Sequence, residues 1–222
     1  MIDGNVPLGS GLSSSSAITV CSAVATLRAL DASMESVAKE VLCEQTWKFE
    51  MLVGTACGGM DQTISIMAQK GSAAYIQFNP IRSTLTRLPN DVVIVLCDST
   101  TASNKLESLG KHYNMRVVEC RMGIELIKRK KSINSPDIKI LMALQDQLKL
   151  SFAELADLVK ECLKDKPYTK EELLAEFGVE SLMDIVGEIG NAQLVLDSNE
   201  EFFLHDRLMH VTQEAERVLS FH

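Results

Sequence analysis

The run Pro7–Ala17 places glycines and serines immediately before a stretch with a helical pattern. Glycine lets the backbone approach an anion closely, and a helix start offers free N–H groups at the positive end of its dipole. Serine hydroxyls add donors, and one of them can reach a phosphate-bound Mg²⁺. The run predicts a phosphate-binding loop, but its spacing alone fits a flexible loop with a serine N-cap equally well.

A second run, Gly58–Gln62, places the carboxylate of Asp61 just after paired glycines, at a predicted helix start. There the carboxylate is exposed where a substrate can approach. Taken alone, the run fits an ordinary aspartate at a helix N-terminus better, because an acidic side chain stabilises that end of a helix.

Two other chemistries are disfavoured by missing motifs. The sequence contains no Walker A lysine pattern, which argues against a P-loop NTPase. It contains no Gly-x-Ser-x-Gly run, which argues against a serine hydrolase.

Three helices are predicted to position these runs. The first follows the loop, with an apolar face at helical spacing (Ala17, Ile18, Val20, Cys21, Val24, Leu27 and Leu30). The second covers Met34 to about Val53, and the third runs from Met60 or Asp61 to about Gln69.

Strand patterns follow these helices. The segments Ala73–Phe78 and Ser83–Leu88 are predicted to form a hairpin, and the apolar, β-branched Val92–Leu96 a buried strand.

From Lys111 onward the pattern is almost entirely helical. Ser151 with Glu154 and Thr169 with Glu172 fit the capping box. The last helix is predicted over Glu201–Phe221.

Composition narrows the class of protein. A hydrophobic fraction of 46% is enough for a packed core, and the net charge of -8 without a basic stripe argues against nucleic-acid or anionic-membrane binding. No apolar run is long enough to span a bilayer and no signal-peptide pattern opens the chain, so a cytoplasmic location is expected. The 6 scattered cysteines form no Cys-x-x-Cys pair and are expected to be reduced and buried.

Taken together, the two runs and several later segments resemble a known family of kinases. The first run resembles the central motif of the GHMP kinases (galacto-, homoserine, mevalonate and phosphomevalonate kinases), which is close to Pro-x-x-x-Gly-Leu-Ser-Ser-Ser. Gly58–Ser65, with its Gly-Gly-Met-Asp-Gln-x-Ile-Ser pattern, is similar to galactokinases. Asn104-Lys105 and Tyr113–Arg121 resemble the eukaryotic branch that includes N-acetylgalactosamine kinase and plant galactokinase. Residues of the last helix resemble the same branch (Arg207, His210, Glu214, Ala215, Arg217, Val218 and Leu219).

The resemblance implies a role for individual residues. The residues implied to hold the ATP phosphates are Gly9, Gly11, Leu12, Ser13, Ser14 and Ser15. Ser15 matches the serine that binds Mg²⁺, and Asp61 matches the aspartate that contacts the reacting sugar hydroxyl, as general base or as electrostatic orienter. Tyr113 and Gly54 match positions that approach the sugar.

The second Mg²⁺ ligand of the family is a glutamate on the helix before the aspartate. Glu50 is the best match, but Glu44 stays open as an alternative, since this helix looks about one turn longer than in relatives.

The implied fold is an α+β, two-domain GHMP kinase, incomplete at both ends. Residues 1–90 match the later part of the N-terminal domain, which carries the ATP-phosphate and catalytic residues, and residues 91–222 match the earlier part of the mostly helical C-terminal domain. The family's Gly-Glu-His-x-Asp and Gly-Ala-Gly-x-Gly-Gly motifs do not occur in the sequence. The chain is therefore expected to be an internal fragment or an incomplete gene model. By itself it is expected to have little or no activity and to aggregate.

The implied activity is ATP- and Mg²⁺-dependent phosphorylation of the anomeric hydroxyl of galactose or N-acetylgalactosamine. The expected partners are this sugar and ATP, with no nucleic acid and no membrane, and the full-length protein is expected to be a monomer. Two alternatives stay open: a non-catalytic paralogue that senses sugar and ATP, and a kinase of another branch, such as mevalonate or homoserine kinase. The intact Ser13–Ser16 run and Asp61 disfavour the first, and Gly58–Gln62 disfavours the second.

Overall fold

The computed structural model describes residues 3–30, 37–78, 80–97, 100 and 112–222. Packing divides the chain into two compact units, residues 1–106 and 107–222, and each is described by itself. The domain limits of 1–90 and 91–222 stay a prediction, because a division by packing and the domains of a family fold need not coincide. Helices combined with short antiparallel strands confirm the α+β class.

Three helices form the body of the first unit, and each packs against the other two. They are α1 (Ser14–Ala29), α2 (Lys39–Met51) and α3 (Met60–Met67). The predicted start of the second helix at Met34 lies outside the described residues. Because local breakers set the other limits, they fall within about two residues of the predicted ones.

The buried side chains of the first unit are more often polar than apolar. The apolar ones in the described part of the unit are Leu42, Cys43 and Ile81. The polar ones are Ser16, Thr46, Glu50, Thr55, Gln62 and Thr63. Burying a polar group is unfavourable for folding unless the group is hydrogen-bonded, so these side chains need hydrogen-bond partners inside the unit.

The predicted hairpin is confirmed. Strands β1 (Ser72–Gln77) and β2 (Arg82–Arg87) pair in antiparallel register, with Tyr75 opposite Thr84.

The predicted buried strand at Val92–Leu96 is wrong. The segment has no strand structure, and its side chains are 52–83% exposed. A strand is held by hydrogen bonds to a neighbouring strand, and no strand in the described part of the chain pairs with this one. The apolar, β-branched pattern indicates that the segment favours a strand conformation, but it does not indicate whether a neighbouring strand is available to pair with it.

The second unit is a helical core built around α4. Its helices and strands are α4 (Met115–Lys130), α5 (Leu141–Leu148), α6 (Phe152–Cys162), β3 (Tyr168–Thr169), α7 (Lys170–Phe177), α8 (Met183–Val186), α9 (Ala192–Ser198), β4 (Glu201–Phe202) and α10 (Leu204–Phe221). Val118, Met122 and Ile127 of α4 are fully buried in this core. Both predicted capping boxes are present.

The last helix starts later than predicted, because Glu201 and Phe202 pair with β3 instead. No described helix is both long and apolar enough to cross a bilayer. All 6 cysteines are free, but the expectation that they are buried is wrong for Cys21 and Cys97, which are exposed.

Candidate active site

The glycine- and serine-rich loop leads directly into α1. Gly9 and Gly11 have positive φ angles of 67° and 74°, a backbone conformation that glycine adopts without strain. Ser13, the N-cap of α1, also has a positive φ of 59°, and its side chain does not cap the helix. The first turn of α1 carries no acidic residue. This helix start therefore keeps the partial positive charge and the N–H donors that suit an anion.

The carboxylate of Glu50 lies where the three helices of the first unit meet. Its Oε1 accepts a hydrogen bond of 2.5 Å from Ser15 Oγ, and its Oε2 accepts one of 2.7 Å from Ser16 Oγ. The side-chain amide of Gln62 also donates to Oε2. Glu50 is only 6% exposed, so these three donors replace water around the charge.

The ends of the three helices act on the negative charge of Glu50 in opposite directions. Glu50 occupies the last turn of α2, where the helix dipole disfavours a negative charge. Ser15 and Ser16 lie in the first turn of α1, and Gln62 lies in the first turn of α3. The Glu50 charge is thus disfavoured by the end of α2, and it is stabilised by side chains from the first turns of α1 and α3.

Glu44, the alternative predicted metal ligand, lies apart from this cluster. Its side chain is 48% exposed and forms an ion pair of 2.7 Å with Lys48 on the same helix. The structure brings Ser15 together with Glu50.

Asp61 lies in the first turn of α3, directly before Gln62. Gly59, the N-cap of this helix, has a positive φ of 86°. The indole N–H of Trp47 donates a hydrogen bond of 2.7 Å to the carbonyl of Cys57, so α2 supports the turn that precedes Asp61.

Gly54 and Tyr113, which are predicted to contact the sugar together with Asp61, lie in different units. Gly54 follows α2 with a positive φ of 89°, and its N–H donates to the carbonyl of Met51. Tyr113 belongs to the second unit, just before α4.

Sequence reasoning missed Ser16 and Gln62, which donate to Glu50, and Trp47, which holds the turn before Asp61. Ser16 and Gln62 are 0% and 1% exposed. A signal for Gln62 existed, since it directly follows Asp61 in the paired-glycine run. Ser16 stands last in its serine run, and nothing local distinguishes it from its neighbours.

Comparison with known proteins finds a family that matches the first part of the chain. Residues 1–69 match the family described as GHMP kinases N terminal domain. This match covers the loop, α1, α2 and α3, and thus every residue of the Glu50 cluster.

The chain is similar to several galactokinases. The galactokinase of Dictyostelium discoideum is 35% identical over 100% of this chain and 44% of its own length. That of Schizosaccharomyces pombe is 36% identical over 61% of this chain and 27% of its own length. That of Saccharomyces cerevisiae is 35% identical over 53% of this chain and 23% of its own length. Residues 1–69 thus match the GHMP kinase N-terminal domain family, the chain is similar to galactokinases, and it spans less than half the length of these relatives.

Proposed function

We propose that this chain is part of a galactokinase-type sugar kinase, which transfers the γ-phosphoryl group of ATP to the anomeric hydroxyl of galactose or N-acetylgalactosamine. The observation that carries the proposal is the contact between Ser15 and Glu50. It joins the phosphate loop to a buried carboxylate beside the helix that carries Asp61. The galactokinase relatives support the choice of substrate class.

The loop and the start of α1 would bind the phosphates of ATP. The proposed contacts come from Gly9, Gly11, Leu12, Ser13, Ser14 and Ser15. Gly9 and Gly11 with their positive φ angles would let the backbone approach the phosphates closely, and the helix start without a side-chain cap adds donors and a partial positive charge.

Ser15 and Glu50 would hold Mg²⁺. The donor set fits this ion, because a hydroxyl and a carboxylate supply the oxygen ligands that Mg²⁺ prefers. Their oxygens lie 2.5 Å apart, so the two side chains could contact the same ion. When bound, the ion would neutralise charge on the phosphates during transfer.

Asp61 would act on the sugar. A bond forms between the anomeric oxygen and the γ-phosphorus while the bond from that phosphorus to the bridging oxygen of ADP breaks. The proton of the hydroxyl passes to the Asp61 carboxylate, or Asp61 orients the hydroxyl while the proton goes to solvent. Either role fits a reaction whose rate depends mainly on positioning and charge stabilisation. Gly54 and Tyr113 are the proposed sugar contacts.

The proposal extends to the arrangement of the whole enzyme. Residues 1–90 and 91–222 would belong to its N- and C-terminal domains, and the full-length enzyme would be a monomer. We expect the 222 residues alone to turn over little or no sugar, since two sugar- and nucleotide-binding motifs of the family are absent from them.

A chimera tests the activity directly. The chain replaces the aligned segment of the Dictyostelium discoideum galactokinase, and ³¹P NMR follows the product with galactose, N-acetylgalactosamine, mevalonate or homoserine as acceptor. We expect a sugar 1-phosphate with one of the two sugars and a loss of at least about 100-fold in kcat for Asp61→Asn.

Three results would contradict the proposal. Phosphorylation of mevalonate or homoserine would place the chain in another branch of GHMP kinases. A folded chimera that binds ATP and sugar without turnover would indicate a sensor. Unchanged turnover in Asp61→Asn would remove Asp61 from the reaction.

A further inference from the structure

The two oxygens of the Glu50 carboxylate have different surroundings. Oε2 accepts from Ser16 and Gln62, which are 0% and 1% exposed. Oε1 accepts from Ser15, which is exposed. The buried donors therefore hold one oxygen on the inner side, and the other oxygen faces the residue that lies nearest to solvent.

The backbone at Glu50 is held as well. The hydroxyl of Thr55, itself buried, donates a hydrogen bond of 3.0 Å to the carbonyl oxygen of Glu50. Hydrogen bonds within the protein thus hold both the main chain of Glu50 and its inner carboxylate oxygen, Oε2.

Packing alone does not explain the presence of Gln62. Its Oε1 is buried and has no hydrogen-bond partner among the described residues, which is unfavourable for folding. An apolar side chain of similar length would avoid this cost. The side-chain amide of Gln62 donates a hydrogen bond to Glu50, and this contact offers a reason for a glutamine at this position.

We propose that Ser16 and Gln62 are positioning residues, which hold Glu50 with Oε1 turned towards Ser15 so that the metal ligands are set before Mg²⁺ binds. The inference rests on the proposed function, because it takes Ser15 and Glu50 as that pair of ligands. Hydrogen bonds from outer residues orient metal ligands in this way, and their loss typically weakens metal binding by about 10- to 100-fold.

The test measures Mn²⁺ binding to the 222-residue chain by electron paramagnetic resonance, in which free and bound Mn²⁺ differ in signal. Ser16→Ala and Gln62→Met remove one donor each, and Glu50→Gln removes the ligand charge. Ser22→Ala on α1 and Gln45→Met on α2 are matched controls at exposed positions. Circular dichroism melting without metal shows which variants are folded. Alanine favours a helix, so Ser16→Ala tests the inference even if Gln62→Met unfolds.

We expect Glu50→Gln to abolish binding, and Ser16→Ala and Gln62→Met to raise the Mn²⁺ Kd about 10- to 100-fold. The two controls should bind like the unmodified chain. If Glu50→Gln binds poorly while folded Ser16→Ala and Gln62→Met bind normally, the positioning roles are wrong and the proposed metal site survives. If the unmodified chain and Glu50→Gln bind Mn²⁺ equally, the proposed metal site fails, and the positioning roles fail with it.

Discussion

Arg207 donates a hydrogen bond of 3.1 Å from its Nε to the carboxylate of Glu119, a side chain with no exposed surface. The backbone N–H of Phe203 donates to the other oxygen of the same carboxylate at 2.8 Å. Glu119 lies in α4 and Arg207 in α10, so one buried charge connects these two helices with the segment that precedes α10.

The first prediction concerns this ion pair. Arg207→Met leaves the buried Glu119 charge with one cation, Arg116 at 3.3 Å, so we expect the free energy of unfolding to fall by less than the roughly 3–5 kcal/mol typical of a buried charge without any partner. Urea denaturation of the chain measures the change. Glu119→Gln combined with Arg207→Met removes both charges and should recover part of the loss. A double variant less stable than Arg207→Met would contradict this account.

The second prediction compares two adjacent glycines. Gly59 has a positive φ, and a Cβ at this position would lie 3.1 Å from Cγ of Trp47. Gly59→Ala should therefore lower the free energy of unfolding by at least about 1–2 kcal/mol and change the fluorescence of Trp47. Trp47 is the single tryptophan of the chain, so the signal is unambiguous.

Gly58→Ala is the matched control, since a Cβ there meets nothing within 4 Å and its φ is not positive. It should leave both stability and fluorescence nearly unchanged. Equal effects of the two substitutions would show that Trp47 does not constrain the turn.

The third prediction is a pH dependence at the start of α6. The pKa of Glu154 is lowered by hydrogen bonds from the backbone and the hydroxyl of Ser151. A lowered pKa in the folded state stabilises the protein above the ordinary glutamate pKa of about 4.3, and this contribution disappears as the pH falls through the lowered value. Glu154→Gln keeps a side chain that fits the capping box but cannot titrate.

Urea denaturation at pH 7 and pH 3 measures the effect. We expect the stability difference between the unmodified chain and Glu154→Gln to shrink on acidification. A difference that is the same at both pH values would contradict the assignment.

The fourth prediction concerns the exposed segment Val92–Leu96. Val93 and Val95 are 83% and 75% exposed, and β-branched apolar residues with free backbone groups promote association between chains. Val93→Lys with Val95→Lys should reduce light scattering of the chain at a given concentration without lowering its melting temperature. The control is Lys139→Arg, which leaves the charge and the segment unchanged. Scattering that does not fall would exclude this segment as the site of association.

The fifth prediction concerns the reactivity of thiols. Burial raises the pKa of Cys120 to about 11, and burial also raises the pKa of Cys43. At pH 8 these thiols stay protonated and should react slowly with an aromatic disulfide reagent until the chain unfolds. Cys21 and Cys97 are exposed and should react first. The double variant Cys21→Ser with Cys97→Ser should lose the fast phase, and a fast phase that persists would contradict the structure.

Local signals accounted for much of the fold. Glycines at 58, 59 and 71 and the capping residues Ser151 and Thr169 act on the backbone within a few residues, so the helix limits near them followed from the sequence. The hairpin followed for the same reason. The start of α10 did not, because Glu201 and Phe202 pair with a strand more than 30 positions earlier.

The amino-acid sequence by itself determined which side chains are available for chemistry. They are a glycine- and serine-rich loop before a helix, an aspartate after paired glycines, and two glutamates as metal-ligand candidates. Folding then brought Ser15 and Ser16 against Glu50 across a separation of 35 and 34 residues, left Glu44 with Lys48, and buried Gln62 beside them. It also left Val92–Leu96 exposed. Spacing along a chain constrains neighbours within a few turns, whereas a contact between helices depends on how their faces pack, which no local pattern reports.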